Sequence, residues 1–224
     1  MSRPKLRTPE LRERVLDTAV ELLAREGVGG FTTRGVAREA QTSTPAVYEL
    51  FGDRAGLLRE VFFEGFRLLR RELDALPRSD DPRADLIGLA AIYRDFMRER
   101  PVLAQLMVSR PFADFDPSRS ELDAGASVRT FIIERVRRAI DAGLLHGDET
   151  DLAHVLVALV QGLIAAESAE RLGTTPESID RRWTLALDAI LDGLSHPAGC
   201  ASGGERPTPV TSSGKSVVTT CTRR

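Results

Sequence analysis

Between Phe31 and Leu58 the chain sets hydroxyl, guanidinium and phenol groups at the openings of short helical segments. That arrangement suits hydrogen bonding to a polyanion more than the making or breaking of bonds. Thr33 and Arg34 follow a capping threonine, Thr32, and so stand at a helix start, where unpaired N–H groups favour phosphate. Thr44, Pro45 and Ala46 follow Ser43 and open a second helix, with Tyr48 and Glu49 one turn on. Thr44 can hydrogen-bond a base edge, and the Pro45 ring or Ala46 methyl can pack on a thymine methyl if they point outward. Tyr48 shares the exposed side with Glu49, and Arg54 opens the helix that follows. The plainer reading of each is an ordinary exposed polar residue. Glu49 repels phosphate unless it accepts from a cytosine amino group, and it is left without a role.

These donors need two short helices crossing steeply. Thr32 caps the first, whose inner face is Val36, Ala37 and Ala40; the small Ala37 allows close approach. Ser43 caps the second, which tolerates Pro45 in its first turn and turns Val47, Leu50 and Phe51 inward. The pattern predicts a helix-turn-helix whose second helix fits a major groove. An earlier helix opens at Thr8-Pro9-Glu10, buries Leu11, Val15, Ala19, Leu22 and Leu23, and stops near Gly27.

The spacing of Gly27, Thr32, Val36-Ala37, Ala40, Ser43, Val47-Tyr48, Phe51, Arg54 and Leu57 resembles the TetR family of bacterial transcriptional regulators, over roughly Leu11 to Val61. Two pairs of residues depart from that pattern. Gln41 and Thr42 replace a usual Gly-Val in the turn, which asks a non-glycine to adopt a left-handed conformation at about 1 kcal/mol. Glu49 and Leu50 stand where many members carry a polar or basic residue and His or Tyr. The resemblance implies that Tyr48 and Arg54 contact DNA backbone, that the last two helices form a homodimer, and that the protein is by family habit a repressor.

The remainder reads as helices. Asp53 caps one running to about Leu76, the natural bridge from the reading helices to the rest. Others are expected at roughly 82–99, 101–109, 121–143, 151–172 and 176–195, with a loop at 110–120. The fold class is therefore all-α: an N-terminal three-helix DNA-binding domain with a helix-turn-helix (1–56), then a helical ligand-binding and dimerisation domain (57–196). A Pro-, Gly-, Ser- and Thr-rich tail (197–224) reads as disordered. On the last two helices Leu156, Leu159, Leu163, Trp183, Leu187 and Ile190 are the expected dimer seam, giving a four-helix bundle about a two-fold axis. Alternatively these stripes fill a single-chain core.

Net charge is −2, so DNA affinity must come from local charge. Arg3, Lys5, Arg7, Arg12 and Arg14 outnumber Glu10 and Glu13 at the N-terminus and supply it. Cys200 and Cys221 both fall in the tail, which fits a reducing cytosol. A charged N-terminus argues against a signal peptide. The longest apolar run, Val155 to Ala166, is shorter than the roughly 20 residues of a membrane crossing. The expectation is a cytoplasmic protein with no membrane partner.

His146, His154 and His196 are scattered, and Asp151 with His154 is too little for a metal site. With no nucleophile elbow and no phosphate-binding glycine loop, the sequence argues against an enzyme and calls for no cofactor and no metal. An apolar pocket is expected among Tyr93, Phe96, Met97, Met107 and Phe131, with Gln161 as an amide inside a buried run that a small-molecule effector could satisfy. The alternative is that Gln161 pairs within the protein or across a dimer, and the aromatics are core.

These readings converge on a ligand-responsive, sequence-specific regulator. Two recognition helices must match the groove repeat of about 34 Å on a double-stranded operator, and a small apolar or amphipathic effector that prefers another spacing releases them. The competing reading is a helical dimeric interaction protein that does not bind DNA.

Overall fold

A computed structural model describes residues 8–109 and 119–196, and among these every regular element is a helix: α1 Pro9–Gly30, α2 Thr33–Glu39, α3 Thr44–Phe51, α4 Arg54–Asp74, α5 Pro82–Glu99, α6 Pro101–Ser109, α7 Arg119–Asp141, α8 Glu149–Ser168 and α9 Pro176–Leu194. Each expected helix is present. α7 takes in the last two residues of the expected 110–120 loop; the rest of that loop, the first seven residues and the tail, with its two cysteines, lie outside the described residues.

Side-chain caps fix the starts. Thr8 accepts from the Leu11 amide, Thr32 from Gly35, Ser43 from Ala46 and Asp53 from Gly56. Each meets an N–H that the helix cannot satisfy itself. Thr175 and Ser178 bond reciprocally at the start of α9. Gly27, at φ 67° and ψ 178°, ends the regular part of α1, and the Phe31 amide returns to its carbonyl at 3.1 Å. Gln41 does stand left-handed, at φ 53°. α8 stops at Ser168, four residues before the expected end. Glu170 turns left-handed at φ 55°, and the Arg171 amide bonds back to the Ala166 carbonyl at 2.8 Å.

α1, α2 and α3 form the first unit around Leu23, Phe31, Val36 and Val47, all fully buried. α4 runs from that unit into the second, packing most extensively on α7 and also on α6, α1 and α5. α6 rides close over α4 at Gly65, where a Cβ would stand 2.5 Å from the Met107 sulfur. Arg12 of α1 reaches Glu60 of α4 at 2.8 Å and lies over the Phe51 ring.

Two polar clusters, one buried and one half-buried, tie the second unit. Asp85 of α5, itself buried, accepts from Ser79 and pairs with Arg135 at 3.2 Å and with Arg138. Arg135 also donates to the Leu76 and Pro77 carbonyls, capping the turn after α4. Burial pushes the Asp85 carboxyl up, but the Ser79 hydrogen bonds and the two guanidiniums outweigh it and hold it below the ordinary range. In the other cluster Arg94 of α5 is bidentate to Glu167 of α8, reaches Asp180 of α9 and lies over Trp183. The Trp183 indole N–H donates to the same carboxylate at 2.7 Å. Burial raises Glu167 while Arg94 and Trp183 lower it, and the net direction is down.

The expected seam is divided by this packing. Leu156, Trp183 and Leu187 are buried inside the single chain, held partly by the Arg94 cluster, so they are core residues of the protomer. Leu159, Leu163 and Ile190 are half-buried. The apolar side chains left open are Val155 and, with two-thirds of its surface exposed, Leu185. Ala158, Gly162 and Ala165 continue the α8 stripe, and Ala189 with Gly193 continue that of α9. α8 as a whole is long and apolar enough, by length and composition, to cross a membrane, which the shorter apolar run did not suggest. Only 17% of that window is buried within the chain.

Candidate nucleic-acid interface and internal cavity

Helical geometry decides which α3 residues face outward. Ala46, Val47 and Phe51 are buried, and Leu50 is half-buried, on one side. The opposite side carries Thr44, Pro45, Tyr48 and Glu49. Pro45, Tyr48 and Glu49 are exposed and Thr44 half-buried. Ala46 therefore corrects the sequence expectation: with no exposed surface, its methyl belongs to the unit's core and cannot meet a base.

Thr33 is also buried, to 5% exposure, so only its helix-start backbone, with exposed Arg34 beside it, could meet phosphate. Arg54 is turned onto its own chain. Its Nε donates to the Phe31 carbonyl at 3.0 Å and a terminal nitrogen to the Val28 carbonyl at 2.6 Å. The guanidinium retains further N–H donors, but its position is set by these carbonyls. The N-terminal arginines inside α1 are likewise engaged: Arg12 with Glu60, and Arg14 through Nε with the Ala40 carbonyl at 3.1 Å. They brace α1 against α4 and α2. Arg3, Lys5 and Arg7 lie outside the described residues.

In the second unit a half-open cavity of about 430 Å³ lies between α4, α5, α7 and α8. Phe62, Phe63, Phe66 and Leu69 of α4 form one wall, with Phe62 edge-on to both other rings at 4.9 and 5.1 Å. Tyr93 and Gln161 line it as expected, and they bond to each other, Gln161 Nε2 to the Tyr93 hydroxyl at 3.1 Å. Gln161 is exposed, which corrects the reading of it as a buried amide awaiting a partner.

Phe96, Met97, Met107 and Phe131 do not line this cavity; all four are core. Met107 packs against Gly65, while Phe131 lies between the guanidiniums of Arg70 and Arg135. The α4 phenylalanines, Arg129 and His154 are among the lining residues that sequence reasoning missed. The apolar period of α4 was visible, but not which part of that face meets a void. Among the described residues no group of three His, Cys, Asp or Glu could hold a metal ion.

Known proteins share this layout. Residues 15–61 match the family model described as bacterial regulatory proteins, tetR family, and residues 86–190 match that described as tetracyclin repressor-like, C-terminal domain. The chain is 28% identical over 193 residues to the class C tetracycline repressor protein of Escherichia coli, covering 81% of this chain and 82% of that one. It is 26% identical over 108 residues to the nicotine-responsive transcriptional repressor HdnoR of Paenarthrobacter nicotinovorans, covering 48% of this chain and 54% of that one. A solved protein of unknown function from Rhodococcus sp. RHA1 superposes with a TM-score of 0.73 at 27% identity, over 87% of this chain and all of that one. A TetR variant from Acinetobacter baumannii AYE, solved with minocycline, superposes with a TM-score of 0.56 at 20% identity, over 80% of this chain and 93% of that one, and shares the fold.

Proposed function

This chain belongs to the TetR family, a DNA-binding transcriptional regulator and not an enzyme, and from that premise we propose that it is a cytoplasmic homodimeric repressor released from its operator by a small molecule in the α4–α8 cavity. One observation carries the reading: α4 both follows directly on α3 and supplies the aromatic wall of the cavity. A ligand that prefers one tilt of α4 thereby prefers one placement of the reading helix, and shifts the population by its differential affinity.

The DNA surface is Thr44, Pro45 and Tyr48 on α3, flanked by Arg34 and the N-terminal backbone of α2. Thr44 faces base edges; Tyr48 and Arg34 hold phosphates. Arg54 supports this surface from behind and offers only its remaining donors. The apolar stripe Val155, Ala158, Gly162, Ala165, with Leu185 and Ala189 on α9, is the face for a second copy, edged by Leu159, Leu163 and Ile190. A helix so apolar, left so open in one chain, is covered most economically by its own two-fold mate.

The test is fluorescence anisotropy of the purified protein on labelled duplex from its own upstream region, titrated at two salt concentrations. Sequence-specific binding that Thr44→Ala redirects among single-base variants by about 1–3 kcal/mol supports the reading. Equal affinity for scrambled DNA would overturn it.

A further inference from the structure

The cavity has an electrostatic sign. Among its described lining residues the basic side chains are Arg129 and His154, with no carboxylate beside them. Both stand on exposed positions of α7 and α8, at the rim of the half-open space. The interior wall is aromatic and aliphatic, so charge on a bound molecule must sit at that rim. A cation there meets the like charge of the Arg129 guanidinium, whereas an anion meets an opposite one.

The rim and interior also have a hydrogen-bond polarity. Gln161 and Tyr93 share one hydrogen bond at 3.1 Å. If the amide nitrogen donates, the phenol O–H is left over to donate into the cavity. With the amide reversed, the phenol donates to it and the amide N–H₂ is left over. Either arrangement presents a spare donor and so calls for an acceptor on the ligand. Burial pushes the Tyr93 phenol up, with Gln161 opposing only in part, which keeps it a neutral donor. His154 is oriented by its own bond, Nδ1–H donating to the Thr150 carbonyl at 2.7 Å.

Taking the effector role of the cavity as given, we propose that its ligand is an amphipathic organic acid. Its apolar, preferably aromatic, body lies against Phe62, Phe63 and Phe66, its carboxylate lies at Arg129 and His154, and an acceptor oxygen meets the Tyr93–Gln161 pair. A volume of about 430 Å³ suits a drug-sized molecule. Rim exposure limits the charge preference to modest factors, because solvent screens it.

The experiment is calorimetric titration of the full-length dimer with three matched probes: naphthylbutyrate, naphthylbutanol and naphthylbutylamine. The butyrate should bind about tenfold more tightly than the amine and about threefold more tightly than the alcohol. Arg129→Gln combined with His154→Gln should level the three while leaving the alcohol within about twofold. Filling the cavity by Ala126→Trp should abolish binding of all of them. Gly125→Phe serves as a second filler, since a Cβ there meets nothing within 4 Å. If the amine or alcohol binds best and both fillers abolish binding, the cavity is the ligand site and its proposed sign is wrong. Probes that do not bind, or bind unaffected by both fillers, would remove the cavity reading and this inference with it.

Discussion

Arg54 and Phe31 are joined twice: the arginine Nε donates to the phenylalanine carbonyl at 3.0 Å, and the guanidinium lies 6.0 Å from the centre of its ring. A residue at the start of α4 thereby holds the strand of chain leaving α1, and with it the orientation of α2 and α3. Arg54→Ala should lower stability by about 1–2 kcal/mol, read as a shift of the thermal melt. Its effect on DNA should be a loss across all duplexes, with a salt slope little changed. A slope reduced by one full phosphate contact, with an unshifted melt, would make Arg54 a direct phosphate ligand instead.

Gln41 occupies φ 53° in the helix-turn-helix, where glycine is the unstrained choice. Gln41→Gly should raise stability by about 0.5–1 kcal/mol, offset in part by unfolded-chain entropy. Chemical denaturation of both proteins checks this. A destabilised variant would mean that the Gln41 side chain makes a contact worth more than the strain.

Gly56 is fixed by a close approach. A Cβ added there would stand 2.0 Å from the Phe51 carbonyl oxygen, a backbone atom that cannot swing aside. Gly56→Ala should destabilise by about 1–3 kcal/mol and weaken operator binding, because the α3–α4 corner must open. Unaltered melting and binding would show that the corner has slack.

The Asp85 carboxylate is held low in the folded state, as is that of Glu167, so both favour folding only while ionised. Their contribution is fully present above the ordinary carboxylate range, about pH 4, and is lost as pH falls through their lowered values. Asp85→Asn leaves the buried Arg135 without its carboxylate, at about 3–5 kcal/mol, and should flatten the acid side of the stability curve. The check is a set of melts from pH 3 to 7; an unchanged acid slope would rule out Asp85 as its source.

Leu185→Glu places a charge on the open α9 stripe without touching the protomer core. It should convert a dimer to monomer in sedimentation at micromolar concentration while preserving helicity. A variant that stays dimeric would move the seam elsewhere.

The helices and their caps were legible because each signal is local: a threonine, serine or aspartate before an apolar period names its own helix start. Gln41 was legible for the same reason, since a turn geometry constrains one residue. Ala46 was not, because whether a small residue faces core or groove depends on the crossing angle of α2 and α3. Trp183 and Leu187 form a stripe that suits a seam or a core equally. Their burial beside α5, which is distant in sequence, assigns them to the core. The cavity was the least legible feature. Phe62 and Phe96 read alike as aromatic residues on helices, yet one faces empty space and the other lies fully buried beneath Arg100.

The Asp85–Arg135 cluster sits at the far end of α4, where Arg135 grips the carbonyls of Leu76 and Pro77. That grip holds the helix at its far end, while its start carries the first unit with it. From Asp74 back to Arg54 the helix is about 30 Å long, by the rise per residue of an α-helix. Swinging it by about 5° about the clamp carries its start, and the α3 it adjoins, through about 2.6 Å. The phenylalanines at positions 62, 63 and 66 line the cavity near mid-span, so under the proposed function a displacement that a ligand imposed on them would be roughly doubled at the tip. A loosened clamp, as in Asp85→Asn, would let the helix slide instead of pivot. The same ligand contact would then yield less motion at the DNA, even in molecules that remain folded.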